Sequence, residues 1–144
     1  MISRCRLTVV KEAVSPEYRV NVSGSRQVFE MLKSFGVAAE AEEVFVVLGL
    51  DTRHKISEYW EVSRGSLNES IVHPREVFKR LLVGNCHACI LAHNHPSGDP
   101  APSSLDIKLT ERLVDAGKLL GLKVLDHVIV GDECYYSFAE QEKL

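Results

Sequence analysis

The chain has 144 residues, 45% of them hydrophobic and 26% charged, which suits one globular domain burying roughly two thirds of its unfolded surface. A net charge of −3 disfavours nonspecific nucleic-acid binding, which relies on clustered Lys and Arg, while leaving room for a local basic patch. No apolar run approaches the ~20 residues of a membrane span, and Met1-Ile2-Ser3-Arg4-Cys5-Arg6 lacks the apolar centre of a signal peptide, so a cytoplasmic location is expected.

Residues 4–10 alternate as a short strand, and Glu12 to Arg19 reads as an irregular approach segment. Ser23-Gly24-Ser25 can cap a helix carrying Val28, Leu32 and Phe35 at helical spacing, with Gly36 as its stop. After a short acidic segment, Ala38 to Glu43, the run Val44-Phe45-Val46-Val47-Leu48 suits a strand buried on both faces. The polar turn Asp51 to Lys55 leads into a second strand, Ile56 to Val62, so the two form a hairpin. Pro74 opens a helix whose buried face is Val77, Phe78, Leu81 and Leu82, ended by Gly84-Asn85. Ala88 to Ala92 is an apolar strand, Pro96 to Pro102 a rigid loop with three prolines, and a long helix follows from about Ser104 with Ile107, Leu113, Val114, Gly117 and Leu120. Leu122 to Val130 and Cys134 to Phe138 close the chain as strands around a Gly131-Asp132-Glu133 turn. The pattern is one α/β unit, a mixed sheet with helices packed against it.

Four cysteines, Cys5, Cys86, Cys89 and Cys134, do not read as a disulfide framework in a chain of this length and type. Cys86-His87-Ala88-Cys89 is a C-x-x-C, but Cys89 runs into the apolar strand and there is no second C-x-x-C to complete a structural zinc site. Core packing is the expected role.

The chemistry concentrates at the end of that strand, in His93-x-His95-x7-Ser103-x-x-Asp106. Histidines at i and i+2 leave a strand on one face. With a carboxylate arriving from the next helix they supply three ligands for one tetrahedral zinc, leaving the fourth position open as in hydrolytic sites. Each member also has a structural reading: Ser103 to Asp106 matches a capping box, and either histidine alone is an ordinary polar strand end. The contiguous string His93-Asn94-His95 is not an HNH endonuclease signature, because Asn94 points to the opposite strand face. A zinc nucleobase deaminase is set aside too, since it needs H-x-E and P-C-x-x-C. His127 is placed on a strand face with Leu125 and Ile129 and reads as a hydrogen-bonded core histidine more readily than as a partner of a metal ligand. His54, His73 and His87 have no partner pattern, and Trp60 reads as core or groove lining.

The array resembles the JAMM motif of MPN-domain metallopeptidases. Ile90 to Pro100, His73 to Phe78, Arg64 to Asn68 and Leu125 to Gly131 resemble the bacterial RadC-like branch of that family, over about residues 22–144. The resemblance implies a single MPN-type domain at 22–144 behind an N-terminal strand or arm at 1–21, in the manner of short, standalone RadC-like forms often associated with mobile elements. It also implies a catalytic glutamate abutting the Val44 strand, for which Glu43 matches better than Glu42; composition alone would make Glu43 a solvated strand-start residue. On this reading one zinc per chain is held by His93, His95 and Asp106, Glu43 handles the proton of the attacking water, and Ser103 donates to the oxyanion. The reaction would be hydrolysis of an amide or isopeptide bond in a peptide or protein substrate. Two other classes stay open: a catalytically silent MPN-type interaction module, and a DNA-repair or mobile-element accessory or metal-dependent nuclease, as the family label suggests.

Overall fold

The computed structural model describes residues 1–13, 20–67 and 72–144. The strands are β1 (Val20–Asn21), β2 (Val44–Leu50), β3 (Lys55–Arg64), β4 (Ala88–Asn94), β5 (Lys123–Val130) and β6 (Tyr135–Ser137). They form one sheet in the order β1-β3-β2-β4-β5-β6. The helices are α1 (Ser25–Ser34), α2 (Pro74–Val83) and α3 (Ser104–Leu120), with a short 3-10 turn at Val37–Ala39. β4 and β5 run parallel, joined by α3, while the other pairings are antiparallel, so the sheet is mixed as the pattern predicts.

Both faces of the sheet are covered, which is why β2 and β4 read as continuous apolar runs. Val46, Leu48, Leu50, Ile90 and Ala92 pack against Val28, Phe29 and Leu32 of α1. Their alternates Phe45, Val47, Cys89 and Leu91 pack against α2 and α3 through Val77, Phe78, Leu81, Leu109 and Leu113. The same alternation puts His93 on the α2/α3 side.

Several expectations are corrected. Residues 4–10 form no strand; residues 1–13 carry no regular structure and are almost all exposed. Of the approach segment Glu12–Arg19, residues 14–19 lie outside the described residues, as does Asn68. Leu82 of α2 is 50% exposed. On α3 the buried stripe is Asp106, Leu109, Thr110, Leu113 and Gly117, whereas Ile107, expected inside, faces out. His73, for which the sequence shows no partner pattern, caps α2, its Nδ1 accepting from Arg75 N at 3.0 Å.

The most consequential departure lies in β5. Cys89 pairs with Val124, but Ile90 pairs with Asp126, so Leu125 is an extra residue and forms a bulge. Alternation reverses there. Leu125 packs into the core on the α1 side, while His127 pairs beside Leu91 on the α3 side. Leu125 and His127 therefore do not share a face. The aim of His127 depends on that one residue.

Candidate metal centre

His93 lies within β4, and His95 follows one residue beyond it, held in line by its N–H donating to Val130 O at 2.9 Å. The chain then reverses at Pro96–Gly98, where Gly98 N donates to His95 O at 2.9 Å and Gly98 adopts φ 90°. Gly98 O accepts from Asp132 N at 2.8 Å, and a Cβ on Gly98 would meet Asp132 Cβ at 3.1 Å, so the loop lies closely on the β5–β6 turn.

Ser103 then caps α3. Its Oγ accepts from Asp106 N at 3.1 Å while Asp106 Oδ2 accepts from Ser103 N at 2.8 Å, a complete capping box. The box turns the Asp106 carboxylate back towards the strand. His93 Nε2 lies 3.3 Å from Asp106 Oδ1, His95 Nε2 lies 3.1 Å from Oδ2, and the two Nε2 atoms are 3.1 Å apart. His93, His95 and Asp106 each present one ligand atom within 4.8 Å of the others.

The remaining nitrogens point away from that centre. His95 Nδ1–H donates to Asp99 O at 2.9 Å. His93 Nδ1 lies 2.8 Å from His127 Nε2, and His127 Nδ1 lies 2.6 Å from Thr110 Oγ1. Phe45 stacks on His93 with centroids 6.0 Å apart, and Phe138 stacks on His127 at 5.0 Å. His127 is thus a hydrogen-bonded core histidine, and its partner His93 is a member of the candidate array.

Electrostatics follow from this packing. Burial opposes ionisation of Asp106, but its short contacts with the His93 and His95 rings and the Ser103 amide hold its carboxyl far below the usual range. The Asp106 hydrogen bond raises His95, against partial desolvation. Full burial keeps His127 neutral by pushing it well below the ordinary imidazole value. Burial also pushes the Cys86 and Cys89 thiols up to about 12, in keeping with a packing role. Two imidazoles and a carboxylate with converging lone pairs fit a divalent cation with an open position.

Glu43 sits one residue ahead of β2. Phe45 pairs with His93 across the antiparallel β2–β4 ladder, so Glu43 and His95, each two residues further, fall on that same face. Its charge helps raise His95. Its Oε2 accepts from Leu67 N at 3.0 Å and its carbonyl accepts from Gly65 N at 2.8 Å, so the Arg64–Leu67 stretch grips it from outside. Glu42, by contrast, is exposed and lies 3.6 Å from Arg64.

Asn94 does its work on the opposite face. Its Oδ1 accepts from Val44 N at 2.7 Å, and its Nδ2 donates to Glu42 O at 3.0 Å and Glu40 O at 3.3 Å. It pins the segment that carries Glu43. The roles of Asn94, Thr110 and Phe45 are absent from the sequence reading; a polar residue between two candidate ligands on a buried strand was the available signal for Asn94.

The RadC-like JAB domain family model matches residues 22–144. A UPF0758 protein of Alkaliphilus metalliredigens is 53% identical over 103 residues, covering 72% of this chain and 44% of the relative. UPF0758 proteins of Methanosarcina mazei and Symbiobacterium thermophilum are 45% and 44% identical, covering 90% and 92% of this chain and 56% of each relative. The chain spans about half the length of these relatives.

Replacing Asn94 strands the buried Val44 amide and frees the Glu40–Glu43 segment. Asn94→Ala is expected to lower unfolding free energy by about 3 kcal/mol in urea titration and to speed hydrogen exchange at Val44 selectively.

Proposed function

The chain belongs to the RadC-like JAB domain family, and from that membership we propose that it is a zinc-dependent hydrolase of amide or isopeptide bonds in a peptide or protein. The observation that carries this reading is the convergence of His93 Nε2, His95 Nε2 and an Asp106 carboxylate oxygen, with each imidazole's other nitrogen engaged elsewhere. His93, His95 and Asp106 would hold zinc, which would supply a Lewis acid able to acidify water to a pKa of about 7.

Every other step belongs to the protein's own groups. Glu43 holds one carboxylate oxygen against Leu67 N, which leaves the other to accept the water proton and return it to the leaving amine. Ser103 Oγ accepts from Asp106 N as a cap, an arrangement that uses an oxygen lone pair and leaves the hydroxyl proton available. That proton donates to the oxyanion as the carbonyl becomes tetrahedral. Capping and catalysis are compatible in this geometry. The side chains of His95 and Asp106 are 13% and 7% exposed while that of His93 is fully covered, so substrate approaches from the His95 and Asp106 side.

Purified protein is expected to bind about one equivalent of zinc, and a His93→Ala/His95→Ala double variant to bind none; full occupancy in that variant would sink the assignment. A peptide and isopeptide screen on the zinc-loaded protein tests the reaction. Glu43→Gln should keep zinc and fold yet lose turnover by roughly 10²–10⁴-fold; the same loss in Glu42→Gln alone would shift the assignment by one residue.

Ser103→Ala separates two roles in one sample. A cap alone predicts a loss of about 1 kcal/mol in stability and unchanged turnover per folded molecule. An oxyanion donor predicts kcat lower by roughly 10²–10³-fold at constant zinc content.

A further inference from the structure

We propose that Thr110 and His127 are positioning residues that set the tautomer of His93, and so decide whether its Nε2 offers a lone pair to a cation. The inference rests on the metal-binding reading above and adds to it the device that prepares one ligand.

The chain of atoms is dry. His93 and His127 have no exposure and Thr110 has 2%. Each polar hydrogen must therefore find an acceptor within the protein, and each serves one bond. With both rings neutral, two arrangements satisfy the distances. In the first, the Thr110 hydroxyl donates to Asp106 O at 2.7 Å, and its oxygen accepts from His127 Nδ1–H at 2.6 Å. His127 Nε2 then accepts from His93 Nδ1–H at 2.8 Å, and His93 Nε2 is left with its lone pair facing His95 and Asp106. In the second, every hydrogen is reversed: Thr110 donates to His127 Nδ1, His127 Nε2–H donates to His93 Nδ1, and His93 Nε2–H points at Asp106 Oδ1. The first arrangement binds a cation; the second blocks it.

Thr110 favours the first because its hydroxyl has a second outlet, the carbonyl one helical turn back. That carbonyl belongs to Asp106, so the ligand-bearing residue of α3 also anchors the chain that prepares His93. The ring planes are held as well. Phe138 stacks on His127 at an interplanar angle of 12°, and Phe45 meets it edge-on at 72°. The Leu125 bulge aims His127 at both partners; without it, this position would face α1.

A histidine ligand usually donates its second N–H to a carboxylate, carbonyl or water, and losing that partner typically costs 10–100-fold in metal affinity. Here the acceptor is another imidazole, whose own tautomer must first be fixed. Thr110→Val keeps the volume and removes the hydroxyl, stranding His127 Nδ1–H. Thr110→Ser keeps the hydroxyl.

The test is zinc affinity by chelator competition, with melting of the metal-free protein measured on the same samples. Thr110→Val should bind zinc about 10–100-fold more weakly while still melting cooperatively, and Thr110→Ser should return to near wild-type affinity. Long-range proton–nitrogen spectra of the metal-free wild type should show His127 protonated at Nδ1, which decides the matter even if Thr110→Val does not fold. His127 protonated at Nε2, or Thr110→Val binding zinc as tightly as wild type, would overturn the inference alone. Wild-type protein that binds no zinc would instead defeat the metal reading on which it rests.

Discussion

The Asp106 carboxylate answers two needs at one point in space. The first turn of α3 has N–H groups without intrahelical partners, and the capping box uses Asp106 to satisfy one of them at Ser103. The end of β4 presents two imidazole Nε2 atoms 3.1 Å apart, which need an anion or a cation between them. Asp106 reaches both because the cap fixes where α3 begins and which stripe it buries. Rotating the helix to bury Ile107, as its apolar character favours, would carry Asp106 away from the strand. The helix instead exposes Ile107 at 42% and buries an aspartate. Site geometry prevails over apolar burial at this position.

The other half of the centre follows from strand parity. Antiparallel pairing of β2 and β4 puts Phe45 beside His93 and Glu43 on the same face as His95. The middle residue of His93-Asn94-His95 must then face away, and Asn94 uses that face to tie down Glu40, Glu42 and Val44. One tripeptide thus supplies two candidate ligands on one side and the clamp for the candidate base on the other. The Gly65 and Leu67 backbone closes on Glu43 from the β3 side. A shift of one residue in either strand would separate the groups, so the candidate site depends on the same register as the packing.

Much of this was legible from residue spacing. A period of two predicts that His93 and His95 share a face, Ser103-x-x-Asp106 predicts the capping box, and the apolar runs of β2 and β4 predict a sheet covered on both sides. Three features were not. Alternation in residues 4–10 describes a strand only if the segment pairs with a sheet edge, and among the described residues it pairs with none. The α3 stripe is chosen by the cap, and periodicity cannot rank Asp106 above Ile107. The Leu125 bulge breaks the period that sequence patterning relies on, so the contact between His127 and His93 is invisible until the register is known. That bulge lies in the Leu125–Gly131 stretch and the Glu43 clamp in the Arg64–Leu67 stretch, so two RadC-like sequence stretches distant from the array have a geometric reason to accompany it.

The central claim is that the cation sphere consists of two imidazoles and one carboxylate, with His127 behind His93 and the thiols outside. X-ray absorption at the zinc edge of the loaded protein measures it most directly. The account predicts nitrogen and oxygen scatterers at about 2.0–2.2 Å, two of them imidazoles. A sulfur scatterer at about 2.3 Å, or a third imidazole, would contradict it.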